Sequence, residues 1–121
     1  VLHFSLSKTE LLSSKSDIKE VFKQGKRFSC VGATLFVLPN KLGYSRFLCT
    51  FRRGFRGAVL RNRIRRLSKE IYRLNKQVIE LGFDIVLLVG ASNSSFSDWQ
   101  KKLFTLFRMA KLLIDTQNES S

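Results

Sequence analysis

Four of the six residues in Arg61-Asn62-Arg63-Ile64-Arg65-Arg66 are arginine, and that side chain is suited to one kind of chemistry. Its planar fork donates paired hydrogen bonds to phosphate oxygens and stacks on bases, which solubility alone would not favour over lysine. The run lies inside a longer stretch, residues 21–69, that contains no Asp or Glu. Lys23, Lys26, Arg27, Lys41, Arg46, Arg52, Arg53 and Arg56 precede the run within it, and Lys69 closes it. The segments on either side balance their charges, so this stretch carries the whole formal net charge of +13. A surface that had only to be soluble would mix the signs. The expected chemistry is capture of a polyanion, nucleic acid before an anionic membrane.

Residues for acid–base or metal chemistry are sparse. His3 is the single histidine and sits at an incidental, near-terminal position. Glu70, Glu80, Asp84 and Asp98 are scattered along the chain, too far apart in sequence to suggest paired-carboxylate hydrolysis or a two-metal site. Gly54 and Gly57 flank Arg56 with no phosphate-loop lysine behind them. Cys30 and Cys49 have neither metal-ligand spacing nor the density of a secreted disulfide scaffold, which fits a reduced, cytoplasmic setting. Neither catalytic residues nor a protein-bound metal is expected. Aromatics form a second constellation, because Phe22, Phe28, Phe36, Phe47, Phe51 and Phe55 lie within or beside the basic stretch. Core packing accounts for most of them, and stacking on a single strand is the functional use. Alternation through Thr34-Leu35-Phe36-Val37-Leu38 puts Phe36 on the face opposite Leu35 and Val37 and leaves open which set lines a cleft.

The elements that must position these residues are legible from periodicity. A chain of 121 residues with 44% hydrophobic residues supports one compact domain, set here at residues 1–115 with a disordered polar tail at 116–121. Residues 16–24 form a helix capped by Ser16 or Asp17 and ended by Gly25. A strand over residues 28–38, with an extra short strand near Phe28, runs up to Pro39-Asn40. Residues 44–51 answer it as an antiparallel hairpin. Leu60, Ile64, Leu67, Ile71 and Leu74 repeat at helical spacing, which places Arg61, Arg65, Arg66, Lys69 and Arg73 on the opposite arc and Arg63 on the border. Residues 83–89 are apolar on both faces, as expected of a central strand. A last helix capped by Ser97 or Asp98 presents Leu103, Leu106, Phe107, Ala110 and Ile114. The fold class is α+β. No apolar run reaches the ~18 to 20 residues of a membrane span, residues 1–6 are too short for a signal peptide, and the basic helix owes its apolar stripe to the core. A soluble protein without membrane attachment is expected.

The run Gly-Ala-Val-Leu-Arg-Asn-Arg-Ile-Arg-Arg-Leu at 57–67, preceded by Asp-Ile-Lys-Glu-Val-Phe-Lys-Gln-Gly at 17–25 and followed by Leu-Phe-Arg at 106–108, resembles the bacterial ribonuclease P protein component. The resemblance spans most of the chain. It implies a single-domain α/β sandwich of order αβ(β)βαβα, with a mixed sheet and a left-handed βαβ crossover like that of ribosomal protein S5 domain 2. It implies further a ribonucleoprotein that removes the 5′ leader from precursor tRNA, with hydrolysis performed by the RNA subunit and Mg²⁺ held mainly by that RNA and the substrate. Contact with the catalytic RNA carries over to Arg53, Arg56, Arg61, Asn62, Arg63, Arg65, Arg66 and Lys69. A cleft for the precursor tRNA leader carries over to Ile18, Phe22 and Phe36, with Phe36 facing the cleft, and no obligate protein partner is implied. The chain departs from the family pattern at Arg56-Gly57, where Gly and a polar residue are usual, and at Ile18, where an aromatic is common. Ser13-Ser14 and Gly90 replace basic residues. The alternative is a non-enzymatic RNA-binding module of ribosomal type.

Overall fold

The computed structural model describes residues 10–55, 57–90 and 96–113, so the expectations for His3, Arg56, Ile114 and the tail from Thr116 lie outside the described residues. Helix α1 spans Lys15–Gln24. Its cap is Ser14, whose hydroxyl accepts from the Asp17 N–H at 3.4 Å, and not Ser16 or Asp17 as the sequence suggested. Asp17 therefore sits in the first turn, where a carboxylate favours the positive end of the helix. Gly25 ends α1 as expected, donating its N–H to the Val21 carbonyl at 2.8 Å. A Cβ there would lie 2.5 Å from Val21 O and 3.2 Å from Val37 O. Glycine is required by this crowding of backbone, which lets the chain turn from α1 directly into the sheet.

Strands β1 (Lys26–Cys30), β2 (Ala33–Pro39), β3 (Arg46–Phe51) and β4 (Phe83–Val89) form one sheet in the order β1-β2-β4-β3. The expected strand over residues 28–38 is divided by a turn at Val31-Gly32, and its two halves make the hairpin. The hairpin expected between residues 28–38 and 44–51 does not form. β4 lies between β2 and β3, antiparallel to the first and parallel to the second. The preference of consecutive strands to pair is overridden because β4 is apolar on both faces and takes the position with a neighbour on each side. Helix α2 (Ala58–Asn75) joins the parallel pair β3 and β4, which is the βαβ unit, and a 3₁₀ turn (Lys76–Val78) leads out of it. Helix α3 (Phe96–Met109) ends the described order, starting at Phe96 rather than after Ser97 or Asp98.

Each face of the sheet has its own core. Ala33, Leu35, Val37, Phe47, Cys49, Ile85, Leu87 and Val89 pack with residues of α2 and α3 such as Ile64, Ile71, Trp99, Leu103 and Phe107. Phe36 and Val86, with Leu38, Leu48 and Leu88 beside them, pack with Leu12, Ile18 and Val21 around α1. The buried stripe of α2 is Ile64, Ser68, Ile71 and Tyr72, turned by roughly a sixth of a revolution from the leucine stripe read in the sequence. Leu60 and Leu74 are left 37% and 45% exposed. Two contacts explain the rotation. The Trp99 indole donates to Ser68 Oγ at 2.7 Å, and Tyr72 stacks on Phe47 with centroids 4.6 Å apart.

Burial pushes the Cys49 thiol up to about 11, partly offset by its hydrogen bond to Ser68 and by the charge of Arg65. Native protein treated with iodoacetamide at mildly alkaline pH should therefore be alkylated at half-buried Cys30 about tenfold faster than at Cys49. Peptide mapping that found both equally modified would contradict this packing. Gly25→Ala should cost about 1–3 kcal/mol, because the clash is with backbone that cannot swing away. A wild-type urea midpoint would refute the tight junction between α1 and β1.

Candidate nucleic-acid interface

Helix α2 begins at Gly57, whose φ of 97° suits glycine, with no side-chain cap and no acid in its first turn. Its positive dipole end thus stands at the start of the run that carries the arginines. Asn62, Arg63, Arg65, Arg66 and Lys69 are exposed, as is Arg53 in the loop before the helix. Asn62, Arg65, Arg66, Lys69 and Arg73 line a groove of about 460 Å³ together with Glu70 and Leu11. Leu11 reaches it because the segment before α1 runs beside β3, with the Leu12 N–H bonded to the Phe47 carbonyl at 3.0 Å. Glu70 pairs with Arg73, which holds the glutamate carboxyl below its usual range and marks where the uncompensated part of the arc ends.

Two of the arginines also organise the loop that leads into the helix. Arg61 is half-buried and donates from Nη1 to the Phe55 carbonyl at 2.9 Å. Arg65 lies over the Phe51 ring at 5.2 Å, and Phe51 contacts Phe55 at 4.9 Å. Arg65 Nη1 also donates to Asn62 Oδ1 at 3.3 Å, which joins the two exposed side chains. Arg56, expected in the same group, lies outside the described residues.

The second surface lies on the other side of the sheet. Ile18, Phe22 and Phe36 are brought together there, with Phe22 and Phe36 in edge contact at 4.8 Å. Phe36 is on the α1 side, opposite Leu35 and Val37, and this resolves the choice left open by alternation. It is only 6% exposed, whereas Phe22 above it is 38% exposed. The aromatic surface available to a ligand is therefore mainly that of Phe22. Past α1 the same face continues through Ser29, Thr34, Leu88 and Thr50, which the strand registers set side by side. Ser29 and Thr34 share a hydrogen bond at 3.1 Å. Beyond them Gly90 donates to the Gly32 carbonyl, and the Arg52 side chain lies across Gly90, 3.2 Å from where a Cβ would stand. The face thus runs from a half-exposed aromatic, over hydroxyls, to a guanidinium.

Arg52, Ser29, Thr34 and Thr50 were not singled out from sequence as site residues. The alternation Leu48, Thr50, Arg52 carried the signal, and it became usable only once the face covered by α1 was known. Arg46 belongs to the acid-free stretch but faces inward. Its Nε and Nη2 donate to the two oxygens of buried Asp84 at 2.7 and 2.6 Å. The carboxylates Asp84, Glu70 and Glu10 are ion-paired, with Arg46, Arg73 and Lys76. Among the described residues no three His, Cys, Asp or Glu side chains form a metal-binding group. No described helix is long and apolar enough to cross a membrane.

Comparison with known proteins gives this geometry a family. Residues 6–111 match the family model described as Ribonuclease P. The chain is 48% identical over 84 residues to the ribonuclease P protein component of Borreliella burgdorferi (strain ZS7), covering 67% of this chain and 71% of that protein. It is 35% identical over 111 residues to that of Clostridioides difficile (strain 630), covering 89% and 97%. Among solved structures, the RNase P protein from Thermotoga maritima superposes with a TM-score of 0.73 at 32% identity, over 82% of this chain and 96% of that one. The Staphylococcus aureus RNase P protein shares the fold at a TM-score of 0.81 and 23% identity, over 88% and 99%. With a family match across nearly all of its length and relatives matched almost end to end, this chain belongs to the ribonuclease P protein component family.

Proposed function

We propose that the chain is the protein subunit of a ribonuclease P ribonucleoprotein that removes the 5′ leader from precursor tRNA in the cytoplasm. It binds the catalytic RNA through the arc formed by Asn62, Arg63, Arg65, Arg66 and Lys69 with Arg53. It holds the single-stranded leader in a channel along the sheet face beside α1, from Phe22 past Ser29 and Thr50 to Arg52. Hydrolysis of the phosphodiester belongs to the RNA subunit with Mg²⁺ held by that RNA and the substrate. The protein contributes binding and orientation.

One observation carries this reading: two different RNA-binding chemistries lie on opposite sides of one sheet. The α2 arc is dense in guanidinium groups and suits the closely spaced phosphates of a folded RNA. The α1 side offers Phe22, the hydroxyls of Ser29 and Thr50, and Arg52 at its far end, the mixture that holds a single strand by stacking and phosphate contact. They meet at the loop after β3, so both RNAs can be held at once.

Reconstitution tests the whole reading. Purified protein added to the catalytic RNA and precursor tRNA at low Mg²⁺ should accelerate 5′ maturation. An RNA-binding module of ribosomal type would bind without doing so, and no acceleration would sink the proposal. Arg65→Ala and Arg66→Ala should each weaken binding to the catalytic RNA, on the order of tenfold, and reduce its salt slope by about 1. Wild-type affinity and slope in both would remove α2 from the interface. Phe22→Ala should weaken binding of precursor tRNA roughly fivefold or more, and leave leaderless tRNA near wild type. Equal losses for the two substrates would take the leader out of the channel.

A further inference from the structure

Helix α1 is a short rod held over the sheet at both ends. At its C-terminal end Gly25 passes the chain into β1 through a junction with no room for a Cβ. At its N-terminal end Asp17 accepts from Arg46 Nη1 at 3.2 Å. The rest of the Arg46 fork is committed to Asp84, which is 4% exposed and also accepts from Asn40 Nδ2 at 2.9 Å. Asn40 in turn donates to the Tyr44 carbonyl and accepts from the Leu42 N–H, so the loop between β2 and β3 is part of the same network. Arg46 and Asp84 are direct partners in the β3–β4 register. One arginine therefore links the central strand to the N-terminal end of α1.

The apolar contacts of Leu12, Ile18 and Val21 hold α1 against the sheet and the Leu12 N–H bond to the Phe47 carbonyl anchors the chain three residues before it, but apolar contacts are non-directional and tolerate sliding of the helix itself. A charged hydrogen bond fixes direction. Between the two fixed ends, roughly 12 Å apart along the helix, lies Phe22 over Phe36. A swing of the Asp17 end moves Phe22 relative to the hydroxyl row of the sheet. Lysine would not serve, because a point charge cannot span two carboxylates with fixed geometry.

We propose that Arg46, acting through Asp17, is a positioning residue that sets where α1 and its Phe22 stand over the channel beside α1, and with it the grip on a single-stranded leader. The proposal rests on the assignment of that channel to the leader. The Asp17–Arg46 contact is partly solvated, with side chains 44% and 18% exposed, so its effect is modest: about threefold in the preference for precursor over leaderless tRNA.

Asp17→Asn removes the charge while leaving Arg46 on Asp84. Arg46→Lys keeps a cation on Asp84 while withdrawing the arm that reaches α1. Each variant, reconstituted with the catalytic RNA, should lose about threefold of the precursor preference. Binding to the catalytic RNA should stay at wild type, and amide exchange over residues 17–22 should be faster. Asp17→Glu should restore most of the loss. The double variant should be no worse than either single one, because both remove the same contact. Additive losses, wild-type exchange in α1, or faster exchange with unchanged preference would each overturn the proposal. If the wild-type particle shows no precursor preference at all, the leader assignment itself has failed.

Discussion

The structure depends on burying β4 from both sides. Residues from Asp84 to Leu87 and Val89 are inaccessible or nearly so, and a strand of that kind needs a ladder at each edge and a layer on each face. β2 and β3 supply the ladders. Helices α2 and α3 cover one face and α1 covers part of the other. Everything functional follows from what this arrangement leaves uncovered. On the α2 side that is the outer arc of the helix. On the α1 side one short helix cannot cover four strands, so the row from Ser29 to Thr50 continues past it.

The fold was legible where periodicity speaks and illegible where pairing decides. The two-sided apolar run of β4, the helical spacing along α2 and α3, and the role of Gly25 as a stop all follow from local chemistry. The neighbours of a strand do not, since β2 is equally able to pair with β3 or with β4, and only the competition for the central place selects β4. The rotation of α2 was hidden for a related reason. Leucine spacing favoured Leu60, Leu67 and Leu74, but a serine and a tyrosine outcompeted them. Ser68 meets the Trp99 indole and Tyr72 meets Phe47, and both partners come from distant segments.

The candidate site divides in the same way. Positions 61–69 could be placed from sequence because arginine density and helical period are local properties. The α1-side face could not be assembled, because its residues come from four strands whose order was unknown. Resemblance assigned Phe36 to a cleft beside the first helix; the structure puts it under α1, where its burial leaves Phe22 as the more exposed aromatic. Arg46 shows the opposite failure. A count of charges groups it with the polyanion-binding residues, whereas Asp84 and Asp17, both from outside the acid-free stretch, fold back onto it.

That return of two carboxylates bears on how a chain with net charge +13 folds before it meets RNA. Self-repulsion disfavours compaction, and it is worst where cations must be buried. Three ion-paired acids sit at such places, Asp84 and Asp17 on Arg46 and Glu10 on Lys76, while Glu70 pairs with Arg73 at the surface, at the end of the α2 arc. The exposed arginines of α2 are left to repel one another across water, where screening makes the cost small. A polyanion that binds this arc relieves the remaining repulsion and releases its own counterions at the same time. Because it binds only the folded arrangement of those arginines, it also stabilises the fold. The same distribution of charge thus lessens repulsion among the buried cations and leaves the exposed arc to a polyanion.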